Sequence, residues 1–245
     1  MNKNIVYCLC CYKNKEIEHL FVEKIVSRYI KLFEENEIKT DFKIINFIPN
    51  EINDRINTIQ NFYEKNNIKQ KSAFKQHNYI KWLNKKTHNH IIKIWNTKFY
   101  LINQFFNSNY ESMLYLDCDL LIEKPPRNLN LSNSLSFKIK KKKPGQHQCT
   151  NITQKYLPSH TITKQVQAGN FYINKNYSFN LKEILNLNEI QTLWEKDSYF
   201  LREETVLTYL FNKHNLINKI TKPPMEYNHI GSWKNKMNYL NYKEL

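Results

Sequence analysis

Glycine is scarce in this chain. Three glycines and seven prolines in 245 residues leave little material for long flexible linkers, and no glycine-rich phosphate loop is present. No apolar run approaches the ~18–20 residues needed to span a bilayer. The early run Ile5-Val6-Tyr7-Cys8-Leu9-Cys10-Cys11 has no small-residue cleavage pattern behind it, so it reads as a first strand, and a cytoplasmic protein is expected. Cysteine is limited to Cys8, Cys10, Cys11, Cys118 and Cys149, an odd number mostly in expected strands; buried reduced thiols fit better than a zinc cluster. Acidic residues are also in short supply, 22 against 37 lysines and arginines, for a net charge of +15. Such a surface attracts nucleic acid, acidic lipid or phosphorylated small molecules, or is simply well solvated. With no zinc finger or RNA-recognition signature, a nucleic-acid partner is disfavoured.

What is present fits a folded α/β protein. Hydrophobic residues make up 41% and aromatics 14% of the chain, enough for one large core. After the first strand, Ile17, Leu20, Phe21, Ile25, Tyr29 and Phe33 recur at helical spacing. The apolar stretch 42–48, stopped by Pro49, reads as a second strand. Strand, helix, strand is a βαβ opening, hence a parallel sheet with a right-handed crossover. Helices are expected over 52–63, 73–83, 91–106 and 203–211, and strands over 113–122 and 166–173. Lys138 to Pro144 is the only dense charge run. It reads as a mobile loop, or as a basic flap near a phosphate-bearing ligand. With no internal repeat, one domain over 1–245 is expected, with a nucleotide-binding part over about 1–125 and an acceptor-side part over about 126–245.

Met113-Leu114-Tyr115-Leu116-Asp117-Cys118-Asp119-Leu120-Leu121-Ile122 is the most informative stretch. It reads as a strand buried on both faces. Ionised carboxylates are tolerated there only if paired, hydrogen-bonded or on a metal. At the carboxyl edge of an open α/β sheet, where ligands bind, Asp117 and Asp119 could hold a divalent ion against a diphosphate. The plainer reading is a strand end turning into solvent.

The order of four blocks carries a resemblance. Leu114–Leu121 is similar to a metal-binding "YLDxD" strand, and Gln167-Ala168-Gly169-Asn170-Phe171-Tyr172-Ile173-Asn174 to a following "NAGvxxiN" strand. Arg202–Thr208 is similar to an acidic "DQDxLN" helix start, and His229-Ile230-Gly231-Ser232-Trp233-Lys234 to a closing "HxxGxxK" or "HxxGSW" block. Together they resemble the GT-A class of nucleotide-sugar-dependent glycosyltransferases, above all the retaining glycogenin and bacterial galactosyltransferase type. The tail also resembles the capsular and yeast mannosyltransferase families. Gln167 replaces the family's Asn, Glu203-Glu204 replace its Asp-Gln, and Lys98 stands where an Arg is often found.

The resemblance implies a single Rossmann-like GT-A domain, α/β with a mostly parallel central sheet flanked by helices. It implies transfer from a nucleotide-sugar donor, UDP-sugar foremost, to a glycan, glycolipid or protein acceptor. Mn²⁺ or Mg²⁺ would be held by Asp119, by His229, and by Asp117 unless that residue holds the ribose. Imidazole suits Mn²⁺ better than Mg²⁺. Donor contacts are expected from Cys10, Cys11, Tyr12, Lys98, Asp117, Gly169, Gly231 and Lys234. Tyr12 would stack on the base or serve as a strand-end core residue. Gly169 would allow close approach of the sugar or mark a bulge. Gln167, Glu203 and Glu204 would face the sugar and acceptor as the catalytic set. The basic, aromatic tail around Trp233 and Tyr242 would allow peripheral contact with an anionic membrane, or pack on the body as a helix. The competing classes are a non-catalytic nucleic-acid-binding protein and a nucleotidyltransferase sharing the two-carboxylate site; the latter leaves the Gly169 and His229 blocks without a purpose.

Overall fold

Ile5, Val6, Tyr7 and Cys8 are all buried, the mark of a strand covered on both faces. They lie in β1 (Asn4–Cys11). A computed structural model of the chain describes residues 3–11, 27–47, 90–117, 120–124, 135–142, 147–176, 180–222 and 226–229; the helices expected over 52–63 and 73–83 lie outside them. The chain divides into two units. The first comprises Met1–Gln76, Ser112–Leu131 and Pro224–Leu245, the second His77–Glu111 and Ser132–Pro223.

In the first unit β1 pairs in parallel with β2 (Thr40–Phe47), from Asn4 opposite Thr40 to Cys11 opposite Phe47. Its other edge pairs in parallel with β3 (Ser112–Asp117), ending with Leu9 opposite Asp117. Residues 27–35 form helix α1. It buries Tyr29, Ile30 and Phe33, and Phe33 meets Phe42 edge-on at 5.2 Å. The βαβ opening is therefore as expected.

The single strand expected over 113–122 is two strands in different sheets. β3 stops at Asp117, and β4 (Leu120–Lys124) pairs antiparallel with β7 (Glu226–His229) in a separate two-stranded sheet. A side chain of α1 reaches both sides of the break: the Tyr29 hydroxyl shares its one hydrogen between the carbonyls of Asp117 (3.1 Å) and Leu120 (2.6 Å), acceptors that one continuous strand would offer to a neighbouring strand.

The second unit holds α2 (His90–Phe106), β5 (Leu135–Lys141), α3 (Gln148–Tyr156), β6 (Lys164–Asn174), α4 (Leu181–Ile184), α5 (Leu187–Lys196), a 3₁₀ turn (Ser198–Leu201) and α6 (Glu203–Lys213). β5 and β6 are antiparallel, whereas β1 runs parallel to both β2 and β3, so the strands of the fold are mixed in direction. Phe137 faces Phe171 while the next residue, Lys138, faces Gln167. Ala168, Gly169 and Asn170 thus have no opposite residue on β5, a bulge centred on Gly169. Phe137 stacks on Phe171 at 4.8 Å and meets Phe211 of α6 edge-on at 5.2 Å.

Lys138–Lys141, expected in a mobile loop, belong to β5. Backbone pairing to β6 satisfies the strand while Lys140 and Lys141 stay exposed. Charge on the side chains does not oppose strand formation when the side chains reach water, and lysines keep an exposed strand from pairing with other chains.

Candidate functional site

In the first unit the candidate site grows from the end of β3. Tyr115 and Asp117 are two residues apart on one strand and so share a face. The Tyr115 hydroxyl donates to Asp117 Oδ1 at 2.6 Å. Tyr115 has no exposed surface and Tyr29 is 1% exposed, so the half-buried Asp117 has its carboxylate and its backbone carbonyl each bonded by a buried phenol. In the antiparallel register of β4 and β7, His229 stands opposite Leu120, the residue that follows Asp119 in sequence. The fold therefore brings the tail histidine to the acidic segment across more than a hundred residues.

Cys10 and Cys11 close β1, opposite Asn46 and Phe47. Tyr12, Asp119, Gly231 and Lys234 lie outside the described residues, as does the side chain of His229. Among the described residues no three His, Cys, Asp or Glu side chains gather as a metal-binding group.

In the second unit the acidic start of α6 is the centre of a polar cluster. Glu203 is buried, and its Oε1 accepts from Lys98 Nζ of α2 at 3.0 Å. Lys98 is 4% exposed and also donates to the carbonyl of Ala168 at 3.1 Å, inside the β6 bulge. One ammonium thus ties α2, α6 and the bulge at Gly169. Lys98, expected as a donor contact, spends these bonds within the protein.

Glu204 is placed differently. It is half-buried, and its Oε2 accepts from Gln165 Nε2 at 2.8 Å. Burial pushes its carboxyl above the ordinary range, reinforced by the neighbouring charge of Glu203; Lys98, the Gln165 bond and Lys140 oppose the rise. Gln167 lies two residues beyond Gln165, on the same face of β6. Oε1 of Gln165, Oε1 of Gln167 and both amide atoms of Asn170 are buried with no hydrogen-bond partner. Four unmatched polar atoms along one strand are costly in a closed core, and groups of this kind are what sugar hydroxyls satisfy.

Gln165, Asn170, Tyr29 and Tyr115 did not stand out in the sequence. Period two could have found Tyr115 from Asp117 and Gln165 from Gln167. Nothing local could have found Tyr29, which reaches Asp117 across 88 positions.

No protein-family model matches the chain, and no curated protein matches it. Solved structures do. The galactosyltransferase LgtC, in complex with donor and acceptor sugar analogs, is 15% identical with a TM-score of 0.54, covering 86% of this chain and 71% of its own. Mouse xyloside xylosyltransferase 1 in apo form is 12% identical with a TM-score of 0.55, covering 87% and 83%. The mannosyltransferase Ktr4p from S. cerevisiae in complex with GDP is 10% identical with a TM-score of 0.51, covering 93% and 71%. At such identities the likeness establishes the fold, which is the GT-A glycosyltransferase fold that the four blocks resemble. No helix among the described residues is long and apolar enough to cross a membrane.

Proposed function

We propose that this GT-A-fold chain is a metal-dependent glycosyltransferase that moves a sugar from a nucleotide-sugar, UDP-sugar in the first instance, to a hydroxyl of a glycan, glycolipid or protein, with retention at the anomeric carbon. The observation that carries the proposal is the end of β3. There, in a fold shared with proteins named for sugar transfer, Asp117 is held by two buried tyrosines, and the β4–β7 register brings in His229. Fold alone does not give function; a carboxylate anchored at a strand end beside a histidine-bearing strand gives the fold something to do.

Asp117, Asp119 and His229 are the residues that would hold the ion. Two carboxylates and an imidazole form a donor set that favours Mn²⁺ over Mg²⁺. When bound, the ion neutralises the charge that develops on the departing diphosphate. The bond from Tyr115 fixes the direction of the Asp117 carboxylate in advance, as outer partners of metal ligands do. Lys234 and Gly231 would serve the diphosphate, and Tyr12, Cys10 and Cys11 the nucleoside.

The two glutamates divide the remaining work. Glu203 is neutralised by Lys98 and shut away from water, so it positions. Glu204 has its proton affinity raised by burial and is oriented by Gln165, which suits a carboxylate on the reacting face. Gln167 would bond sugar hydroxyls.

Thermal stability measured across UDP, GDP and CMP, each with and without Mn²⁺, tests this reading. A shift that needs both one nucleotide and Mn²⁺ is expected, followed by release of that nucleoside diphosphate from the matching sugar donor. GDP serving in place of UDP would change the donor and keep the activity. No nucleotide shift with any ion would overturn the proposal.

A further inference from the structure

Part of the lysine run that the sequence offered as a mobile loop or a basic flap shares a face with the partner of Glu204. Lys138 and Lys140 are alternate residues of β5, directly opposite Gln167 and Gln165 on β6. Alternate strand residues point to one face, so both lysines share the face on which Gln165 holds Glu204. Lys142 extends the row: its N–H bonds the Thr163 carbonyl at 2.8 Å, continuing the ladder by one more alternate position. The three lysines are spaced roughly 7 Å apart along the strand. Arg202 precedes the first turn of α6.

Two further facts place these cations together. His147, at the N-cap of α3, accepts from Cys149 N through Nδ1 at 3.3 Å. Its pKa is lowered by burial and then by the charges of Lys142, Arg202 and Lys140, while Lys140 also acts on Glu204. Among the described residues, the ion pairs do not include Lys140, Lys142 or Arg202. A concentration of unmatched positive charge on the face of a candidate catalytic carboxylate is a recognition element for an anion. In the reading above, the donor diphosphate would be neutralised by the ion that Asp117, Asp119 and His229 would hold.

Resting on the reading of Glu204 given above, we infer that the acceptor is anionic: it carries a carboxylate or phosphate that Lys140 and Lys142 of β5, with Arg202 at the start of α6, receive while its hydroxyl meets Glu204. The charge then selects the acceptor and sets its orientation, with most of its effect on capture.

The experiment uses the full chain, the sugar nucleotide identified above and Mn²⁺, with nucleoside diphosphate release as the readout. Three acceptors are compared: p-nitrophenyl glucuronide, glucose 6-phosphate and the neutral p-nitrophenyl glucoside. A charged acceptor is expected to stimulate release at a KM well below that of the neutral one, and which of the two does so separates carboxylate from phosphate. In K140Q/K142Q that KM should rise roughly tenfold, as the loss of two charge contacts at the protein surface permits, with the KM of the donor unchanged. K140E/K142E should raise it further, and an unchanged thermal midpoint in both variants shows that the fold is intact. Equal KM values for charged and neutral acceptors, or a variant effect confined to the donor KM, overturn the inference while leaving sugar transfer standing. Slow donor hydrolysis with no acceptor present confirms the underlying activity separately; its absence with every donor would sink both readings together.

Discussion

Tyr115 is a residue that would shape the proposed ion site without touching a ligand, through its bond to Asp117. A carboxylate on a strand end can swing between rotamers, and each unproductive orientation dilutes its affinity for an ion. The 2.6 Å bond from a fully buried phenol removes that freedom. Replacing Tyr115 with Phe keeps the ring and deletes the bond, so the expected loss is roughly 10–100-fold in Mn²⁺ affinity for a stability loss of about 1 kcal/mol. Mn²⁺ titration followed by electron paramagnetic resonance in the presence of the nucleotide measures the first, urea unfolding the second. Lower stability with unchanged Mn²⁺ affinity would reduce Tyr115 to a core residue. Glu204 supplies a second residue-level test. Its folded pKa lies above the ordinary 4.5 because burial and Glu203 disfavour the charge. The native state therefore keeps this proton longer than the unfolded chain. The resulting stabilisation is fully present below 4.5 and is lost as pH rises through the folded value. Glu204→Gln carries no such proton, so its stability relative to wild type should increase as pH rises through that window and be flat below it. Denaturant unfolding of both proteins across the window checks this; parallel curves would mean that the carboxyl is not perturbed.

At the scale of elements, Lys98 and Glu203 are the join of α2, β6 and α6. Both are buried, and the ammonium has a second bond to the Ala168 carbonyl in the bulge. Removing one partner strands the other as an uncompensated buried charge. Lys98→Met alone should cost about 3–5 kcal/mol, and the double change Lys98→Met with Glu203→Leu substantially less. Urea unfolding of the two singles and the double measures the coupling; additive losses would mean that the two charges act independently. The elements themselves were unevenly legible. β1, β2, α2, β6 and α6 follow from apolar periodicity, because each buries a stripe or both faces and pattern reports burial. The break between β3 and β4 was not legible, since Met113–Ile122 is apolar on both sides of the acids and the side chain that bonds both strand ends, Tyr29, is distant in sequence. β5 was missed for the opposite reason. Its lysines look like a solvated loop, yet a strand whose backbone pairs on one side needs no apolar residue at its exposed positions.

Of the candidate site, what could be read from sequence was the part encoded by neighbours: the acid at 117, the pair at 203 and 204, the Gly169 bulge. What could not be read was the division of labour, because Glu203 and Glu204 differ only through Lys98 and Gln165, which long-range folding supplies. The same distinction governs the molecule as a whole. A net charge of +15 is a property of the entire surface, whereas the proposed ion site depends on a few groups, and salt separates the two. Binding of a short oligonucleotide through scattered lysines releases counterions, so its affinity should fall steeply and linearly on a logarithmic salt scale. Asp117→Asn, which removes an acid, should leave that binding intact or slightly strengthen it. The stability shift from nucleotide with Mn²⁺ should instead survive moderate salt, since ligation and a partly buried carboxylate are screened far less than exposed charge, and it should vanish in Asp117→Asn. Fluorescence anisotropy for the oligonucleotide and thermal unfolding for the nucleotide, run on both proteins across one salt series, resolve the matter. If both signals decline together with salt and neither responds to Asp117, the charge is the functional feature of this chain and the strand end is not.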